Sequence, residues 1–173
     1  MARVLVLYAT REGQTEQIAQ RLAGALRSFG NEVRLCRWHE RLELPDCGAL
    51  ILGASVHYGR HPKALAAWIR GHLGRLRNLP TAFFSVSLTS NPRYGERFLR
   101  SSGWAPQMSA SFQGALVYSV YPPWKRAVVR AFAAMGGHDT DPSRDYDYTD
   151  YAAVAEFAGR FARALGEASS VRA

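Results

Sequence analysis

The sequence predicts an α/β protein, a doubly wound five-stranded parallel sheet of order 2-1-3-4-5 with helices on both faces. Three observations lead to this prediction. Apolar runs of strand length alternate with segments of helical periodicity, most of these runs are apolar throughout, and 47% of the 173 residues are hydrophobic. Strands that are buried on both faces and separated by helices are typical of a parallel sheet between helical layers. We therefore expect a single domain over residues 1–173, with its ligand crevice between strands 1 and 3.

The first half of the chain contains four predicted strands and two predicted helices. The first helix repeats apolar residues at helical spacing and is followed by Gly30 and Asn31, which end helices well. The second begins with Pro62, which is tolerated in a first helical turn. The strands are predicted over residues 3–8, 32–38, 49–55 and 81–87, and the helices over residues 15–29 and 62–76.

The second half departs from the simplest alternation of strand and helix. A short helix over residues 94–101, a fifth strand over 110–116 and a final helix over 151–165 complete the predicted fold. Between the last two lies a further predicted helix, 124–135, and the Pro122-Pro123 pair before it indicates a segment added to the minimal fold.

The turn after the first strand has the composition of an anion site. It joins the carboxyl end of a strand to the start of a helix, where unpaired N–H groups attract negative charge. Thr10 and Thr15 add hydroxyl donors, and Gly13 lets the backbone close around a ligand. The sequence lacks the glycine patterns of nucleoside triphosphate and dinucleotide loops. The turn therefore predicts a phosphate site of another kind, with helix capping by the two threonines as the alternative.

Net charge and targeting features narrow the function classes. A balance of 22 Lys and Arg against 14 Asp and Glu gives a charge of +8, which favours anionic partners. No nucleic-acid-binding pattern accompanies this charge, so nucleic acid is not a predicted partner. The chain has no apolar run of about 20 residues and no leader, and we expect it to be cytoplasmic. We predict that Cys36 and Cys47 are reduced and that the histidines form no metal site.

Five segments together resemble one known family in order and spacing. They are YATREGQT (8–15), GASVHYG (53–59), PTAFFSVSL (80–88), GGHDTD (136–141) and YTDY (148–151). The first is similar to the FMN-phosphate loop of flavodoxin-like proteins. The full set resembles the menaquinone-dependent protoporphyrinogen IX dehydrogenases, which have a flavodoxin-like fold. The resemblance implies an FMN enzyme of haem biosynthesis that oxidises protoporphyrinogen IX to protoporphyrin IX and passes the electrons to a quinone.

The resemblance also implies which residues bind the cofactor. Around the FMN phosphate it places Thr10, Arg11, Glu12, Gly13, Gln14 and Thr15. Beside the isoalloxazine it places Ser55, Val56, His57, Tyr58 and Gly59 after the third strand, and Ser87, Leu88 and Thr89 after the fourth. Tyr58 offers a face on which a flat ring can stack. Because the flavin itself takes a hydride, no catalytic residue is predicted. We expect His57, Arg60 and His61 to bind the substrate's propionates.

One departure from the family affects the substrate. Its bacterial members carry a long basic insertion after the fourth strand, whereas here only five residues separate Leu88 from Tyr94. Two other functions therefore stay open: a flavodoxin-like electron carrier, which the positive charge disfavours, and an NAD(P)H-dependent quinone reductase.

Two further segments are predicted to lie at the surface, the helix 124–135 and the acidic residues of 139–150. The predicted helix 124–135 has Trp124, Val128, Phe132 and Met135 on one side and basic residues on another. This apolar side either packs into the domain or rests on an anionic bilayer, as a peripheral contact at the cytoplasmic face of the inner membrane. The acidic residues of 139–150 lack calcium-loop spacing and are predicted to be solvated surface.

Overall fold

The five-stranded parallel sheet and its order are confirmed. The computed structural model describes residues 1–170, so residues 171–173 of the predicted domain lie outside the described part of the chain. Every neighbouring pair in the order β2-β1-β3-β4-β5 is parallel. The strands are β1 (Arg3–Ala9), β2 (Glu32–Arg37), β3 (Ala49–Ser55), β4 (Thr81–Ser87) and β5 (Met108–Gln113).

Five helices accompany the sheet within the described residues. They are α1 (Gln14–Ser28), α2 (Lys63–Leu76), α3 (Pro92–Ser102), α4 (Pro123–Met135) and α5 (Tyr151–Ser170). α1 and α5 share one hydrophobic cluster with one face of the sheet, and α2 and α3 share a second cluster with the other face. Alternate residues of β1 enter the two clusters, since Val4 and Val6 belong to the first and Leu5 and Leu7 to the second. The sheet is therefore buried on both faces, as its composition predicts.

Gly53 in β3 is required by the packing of the first cluster. A Cβ atom at this position would lie 2.0 Å from a ring atom of Phe84, which is buried in β4. Only a glycine permits this approach between the strand and the ring, and it explains a residue of the GASVHYG segment without any ligand.

The predicted fifth strand is wrong in its bounds. Residues 110–116 do not form one strand, because the pairing with β4 stops at Gly114. Its N–H donates the last hydrogen bond, to the carbonyl of Ser87 (2.9 Å), and its carbonyl accepts from the N–H of Tyr148 (3.2 Å). The next two residues form β6 (Ala115–Leu116), which pairs antiparallel with β7 (Tyr146–Asp147) in a separate two-stranded sheet. Between them lie a 3₁₀ turn (Tyr118–Val120) and α4. An added segment is thus present, and it follows β5.

The chain between β4 and α3 is short. α3 begins at Pro92, two residues earlier than predicted, because the side chain of Asn91 caps it by accepting a hydrogen bond from the N–H of Arg93 (3.0 Å). Only residues 88–91 remain as a turn, in which the N–H of Ser90 donates to the carbonyl of Ser87 (3.3 Å).

The apolar side of α4 does not pack into the domain, so that interpretation is wrong. Trp124, Val128 and Met135 are 66%, 41% and 85% exposed, and the side chain of Phe132 lies outside the described part of the chain. A neighbouring side of the helix faces inward instead, with Val129 and Ala133 against a third hydrophobic cluster that contains the added segment's tyrosines. No helix within residues 1–170 combines the length and the apolar character that crossing a bilayer requires.

Candidate functional site

A cavity of about 230 Å³ lies where the carboxyl ends of β1, β3 and β4 meet the added segment. Most of the predicted cofactor-binding residues line it. These are Thr10, Arg11, Glu12, Gln14, Thr15, Ser55, Val56, His57, Tyr58, Ser87 and Leu88. The position agrees with the ligand crevice of doubly wound sheets, beside the reversal of strand order between β1 and β3.

The turn between β1 and α1 has the geometry of an anion cradle. The hydroxyl oxygen of Thr10 accepts a hydrogen bond from the N–H of Gly13 (3.0 Å), which folds the turn on itself. Gly13 has a φ of 94°, a left-handed conformation that disfavours other residues, and a Cβ atom there would meet nothing within 4 Å. α1 begins at the next residue, so its first N–H groups have no carbonyl partner within the helix, and Gln14 and Thr15 of this turn line the cavity.

Two buried hydroxyl groups in the cavity wall have no hydrogen-bond partner among the described residues, 1–170. Thr15 is 1% exposed and Ser87 is 7% exposed, and neither side-chain oxygen makes a hydrogen bond. Thr15 therefore does not cap α1, which excludes the capping alternative for this residue. An unpaired buried hydroxyl costs about 1–3 kcal/mol, so both positions favour a ligand that supplies hydrogen-bonding atoms. The hydroxyls, the glycine turn and the helix start together fit the phosphate and polar edge of FMN.

The side chains of Glu12 and Gln14 bind other parts of the protein. The Glu12 carboxylate accepts from the hydroxyl of Tyr121 (2.6 Å) and from Lys125 Nζ (2.5 Å). Gln14 Nε2 donates to Asp147 (2.8 Å) and to Thr149 (2.7 Å). These residues line the cavity, but their side chains fasten the added segment to the turn. The predicted contact of Glu12 and Gln14 with a phosphate would therefore have to come from their backbone N–H groups.

The loop after β3 holds His57 in a neutral form. The hydroxyl of Ser55 donates to the carbonyl of Ala9 (3.4 Å), so His57 Nε2, 3.2 Å from the same oxygen, acts as the donor. That arrangement leaves the lone pair on Nδ1. Burial lowers the pKa of His57 below its ordinary value of 6.5, an effect that the nearby Glu12 carboxylate partly offsets.

Tyr58 is presented by a tight two-residue turn. His57 and Arg60 exchange both backbone hydrogen bonds, at 2.8 and 3.0 Å. Tyr58 and Gly59, the two central residues, have φ values of 49° and 73°, as a type I′ turn requires. The left-handed conformation is unfavourable for tyrosine, and it leaves the ring 77% exposed at the cavity. The stacking role of Tyr58 stays a prediction, and its ring lines the cavity.

Five predicted residues do not line this cavity, and one of them, Gly13, lies in the turn between β1 and α1 described above. Thr89 is an exposed residue of the turn after β4, whereas Gly59, Arg60 and His61 line a second cavity. The His61 ring is 7% exposed, its Nδ1 donates to the carbonyl of Ser55 (3.1 Å) and its Nε2 accepts from the hydroxyl of Ser85 (3.1 Å). Burial lowers its pKa to about 4. The predicted propionate contact of His61 is therefore wrong, since the ring is neutral and both nitrogens are occupied.

The wall contributed by the added segment was not predicted from the sequence. This wall consists of Gly114, Ala115, Leu116, Tyr121, Lys125, Val128 and Val129, and Val86 of β4 also lines the cavity. The Pro122-Pro123 pair indicated the segment itself, but no local pattern indicated which side of the sheet it would cover.

The five acidic residues of the loop before α5 are exposed, as predicted, but each also makes a specific contact. Asp141 accepts a hydrogen bond from the N–H of Ser143 (3.0 Å). Asp145 accepts from the Ser119 hydroxyl (2.6 Å), and Asp139 accepts from Tyr148 (2.6 Å). Asp150 caps α5 by accepting from two N–H groups, and Asp147 accepts from Gln14. Within residues 1–170, no three His, Cys, Asp or Glu side chains are grouped as a metal site would need.

Comparison with known proteins supports the same cofactor class. A family model described as a flavodoxin domain matches residues 5–143. Protoporphyrinogen IX dehydrogenase [quinone] of Escherichia coli K12 is 33% identical over 172 residues. The match covers 92% of this chain and 94% of that protein. The protein of the same name from Leishmania major is 32% identical over 175 residues. That match covers 92% of this chain and 74% of the Leishmania protein. The chain belongs to the protoporphyrinogen IX dehydrogenase [quinone] family. Membership of this flavodoxin-domain family confirms FMN as the cofactor class.

Solved structures confirm the flavodoxin-like fold of this family member. Oxidised Flavodoxin 1 from Bacillus cereus superposes with a TM-score of 0.55 at 17% identity, covering 93% of this chain and 97% of that one. The rubredoxin oxygen:oxidoreductase of Desulfovibrio gigas gives a TM-score of 0.58 at 19% identity, and this chain spans 95% of its own length and 36% of that chain.

Proposed function

We propose that this member of the family oxidises protoporphyrinogen IX to protoporphyrin IX with FMN as cofactor and a quinone as electron acceptor. The observation that carries the proposal is the pair of unpaired buried hydroxyls, Thr15 and Ser87, in a cavity at the switch point of the sheet. The E. coli and L. major relatives are named for this reaction. The net charge of +8 also favours a substrate that carries carboxylates.

The residues of the cavity fit the cofactor in two groups. Thr10, Gly13 and Thr15, with the first N–H groups of α1, would hold the phosphate. Tyr58 and Ser87 would flank the flavin ring, Tyr58 by its exposed face and Ser87 by its free hydroxyl. When bound, FMN supplies the electron chemistry by accepting reducing equivalents and releasing them to the quinone.

His57 has the properties of a proton acceptor for this reaction. Oxidation of the porphyrinogen releases protons together with electrons, and a neutral imidazole with a free lone pair can take them. His57 lines the cavity, is neutral because burial lowers its pKa, and keeps the lone pair on Nδ1. We expect the parent to lose activity at acidic pH, below the ordinary pKa of 6.5, as His57 is protonated. We expect His57→Gln to lower kcat and to lack this part of the pH dependence.

The exposed side of α4 is proposed as a peripheral contact with the membrane that contains the quinone. Trp124 and Val128 are exposed on α4, and Arg126 and Arg130 add positive charge on the same helix, whereas Lys125 is paired with Glu12. Apolar and basic residues in this arrangement favour anionic interfaces. We expect Trp124→Ser to weaken co-flotation with anionic phospholipid vesicles, and equal flotation of variant and parent would contradict the contact.

The decisive experiment compares two electron donors under anaerobic conditions. The FMN-loaded protein is mixed with protoporphyrinogen IX or with NADPH, and bleaching of the oxidised flavin absorbance is followed by stopped flow. We expect rapid bleaching by protoporphyrinogen and reoxidation by a soluble quinone analogue. Bleaching by NADPH alone would replace the proposal with an NAD(P)H-dependent quinone reductase. Bleaching by neither donor would favour an electron carrier.

A further inference from the structure

A second cavity, about 410 Å³ in volume, forms a groove between α2 and α3. One end is closed by residues 59–62, which leave the His57 turn and enter α2. Each helix lines the groove with residues that share one face through their spacing of three, four or seven positions. α2 contributes Lys63, Ala66 and Arg70, and α3 contributes Tyr94, Arg97 and Phe98.

All the charged residues that line this groove are positive. Arg60, Lys63, Arg70 and Arg97 line it, and none of the lining residues is Asp or Glu. Arg70 donates to the carbonyl of Ser101 (2.9 Å) and thereby ties α2 to α3. Within residues 1–170, the side chains of the other three cations make no hydrogen bond or ion pair. Such a cluster repels itself, and a bound anion would neutralise it.

The floor of the groove is aromatic and uncharged. Phe98 is 5% exposed, and its ring lies 4.8 Å from the buried, neutral ring of His61. The half-buried ring of Tyr94 lies in the wall, close enough to Gly59 that a Cβ atom there would be 3.7 Å from it. An apolar floor under a cationic rim suits the arm of an organic molecule that ends in an oxyanion.

The groove adjoins the cofactor cavity through a single turn. His57 and Tyr58 line the cofactor cavity, whereas Gly59 and Arg60 line the groove. The two backbone hydrogen bonds between His57 and Arg60 keep the two sides of this turn together. A ligand that covers the turn would therefore reach the groove with its side arms while its ring system stays near the flavin site.

We propose that this groove is a carboxylate subsite that binds the propionate arms of the porphyrinogen, with Arg60 and Arg97 as the principal ligands. The proposal rests on the proposed function, because it assigns a place to that substrate's carboxylates. Arginine suits the role, since its planar guanidinium donates two parallel hydrogen bonds to one carboxylate.

The test uses the FMN-loaded protein and the double variant Arg60→Gln/Arg97→Gln. Because each charge-assisted contact is worth about tenfold or more in affinity, we expect KM for protoporphyrinogen to rise about 10- to 100-fold. kcat and the Kd for FMN should stay within about twofold. The parent should show the same high KM with the dimethyl ester of protoporphyrinogen, and the variant should no longer distinguish ester from free acid. The matched control is Arg41→Gln/Arg100→Gln, which removes two exposed arginines outside the groove and should behave as the parent.

Equilibrium binding of oxidised protoporphyrin IX, followed by quenching of its fluorescence, separates this proposal from the reaction itself. A parent that binds the porphyrin through this groove but does not reduce its flavin with the porphyrinogen would defeat the proposed function and retain the subsite. An unchanged KM and an unchanged porphyrin Kd in the double variant would overturn the subsite. A variant that loses only flavin reduction by NADPH would also overturn it, because the groove would then bind a nucleotide phosphate.

Discussion

Thr15 shows how a single residue can report a ligand. Its hydroxyl is buried at the first turn of α1 and has no partner within residues 1–170, and the N–H groups of this helix start could donate to an anion. Proteins rarely leave a buried hydroxyl unpaired, because this costs about 1–3 kcal/mol. The phosphate of FMN would satisfy this hydroxyl and the helix start together.

Replacing Thr15 with Val should weaken FMN binding without disturbing the fold. Valine keeps the shape of threonine and removes the hydroxyl, so the variant loses one hydrogen bond to a charged group, or about 10- to 100-fold in Kd. Titration of the apoprotein with FMN, followed by flavin fluorescence, measures the effect. Thr15→Ser keeps the hydroxyl and should bind within about threefold of the parent. Equal Kd values for the Val and Ser variants would show that this hydroxyl does not contact the phosphate.

The turn between His57 and Arg60 holds the backbone of Tyr58 in an unfavourable left-handed conformation. Its φ of 49° is unfavourable by about 1–2 kcal/mol for a side chain of this kind. Tyr58→Asn should therefore stabilise the apoprotein by about 1 kcal/mol, since asparagine followed by glycine suits a type I′ turn. Urea unfolding of the apoprotein measures this gain.

Tyr58→Asn should also weaken FMN binding, because it loses the aromatic face. Tyr58→Phe should change neither property, and a Phe variant as stable as the Asn variant would exclude backbone strain as the cause.

At the scale of single residues, the sequence was most informative where the chemistry is local. Hydroxyls and a glycine between a strand and a helix indicate an anion site because all the relevant groups lie within six positions. The side chains of Glu12 and Gln14 could not be placed in this way. Their partners lie 109 to 137 positions further along the chain, so only the tertiary fold decides where these side chains point.

The added segment is the element that completes the site. Its helix α4 reaches the phosphate turn through Glu12, which is partly buried with Lys125 and accepts a hydrogen bond from Tyr121. The carboxylate raises the pKa of the Tyr121 hydroxyl, an effect second to that of burial. One carboxylate of the cofactor turn thus holds two residues of the cavity's outer wall.

Glu12→Gln should loosen α4 while leaving the sheet intact. The neutral amide loses the ion pair with Lys125 and leaves the partly buried ammonium uncompensated, at a cost of about 1–3 kcal/mol. Amide hydrogen exchange, read by mass spectrometry, should become at least several-fold faster in residues 118–135 and stay unchanged in β1 and β3. Glu40→Gln replaces an exposed glutamate distant in sequence from the cavity and serves as the control. Uniform exchange rates in the Glu12 variant would show that this contact does not hold the segment.

Elements were predictable from the sequence where periodicity and burial agree. The first four strands and α1 combine continuous apolar runs with clear helix signals, and their bounds were predicted to within about two residues. β5 and β6 read as one strand because Gly114, which separates them, is unremarkable in sequence. Its significance comes from the hydrogen bond to Ser87 in the neighbouring strand. The inward side of α4 was misassigned for a similar reason, since the larger apolar residues of that helix lie on its exposed side.

On the scale of the whole molecule, one buried histidine joins the sheet to the wall of the second cavity. His61 bonds through Nδ1 to the carbonyl of Ser55 at the end of β3 and through Nε2 to Ser85 in β4. Its ring packs edge-on against Phe83 of the sheet and beside Phe98 of α3. The neutral imidazole therefore joins the sheet to the helical layer that forms the cationic groove, and protonation would place a charge where the four cations already lack a counter-charge.

Stability should consequently fall as the pH is lowered from 6.5 toward 4. The pKa of His61 is 6.5 in the unfolded reference and about 4 in the fold, so over this range the unfolded chain binds the additional proton. The difference corresponds to a loss of about 2 kcal/mol of unfolding free energy between pH 7 and pH 5, measured by urea denaturation.

His61→Gln should be less stable than the parent at pH 7, because it packs less well, but should lack this part of the pH dependence. The difference between parent and variant should therefore shrink by about 2 kcal/mol at pH 5. His39→Gln, at an exposed position, should keep the parent's pH dependence. Parallel curves for the parent and His61→Gln would show that His61 is not the group that destabilises the protein in acid.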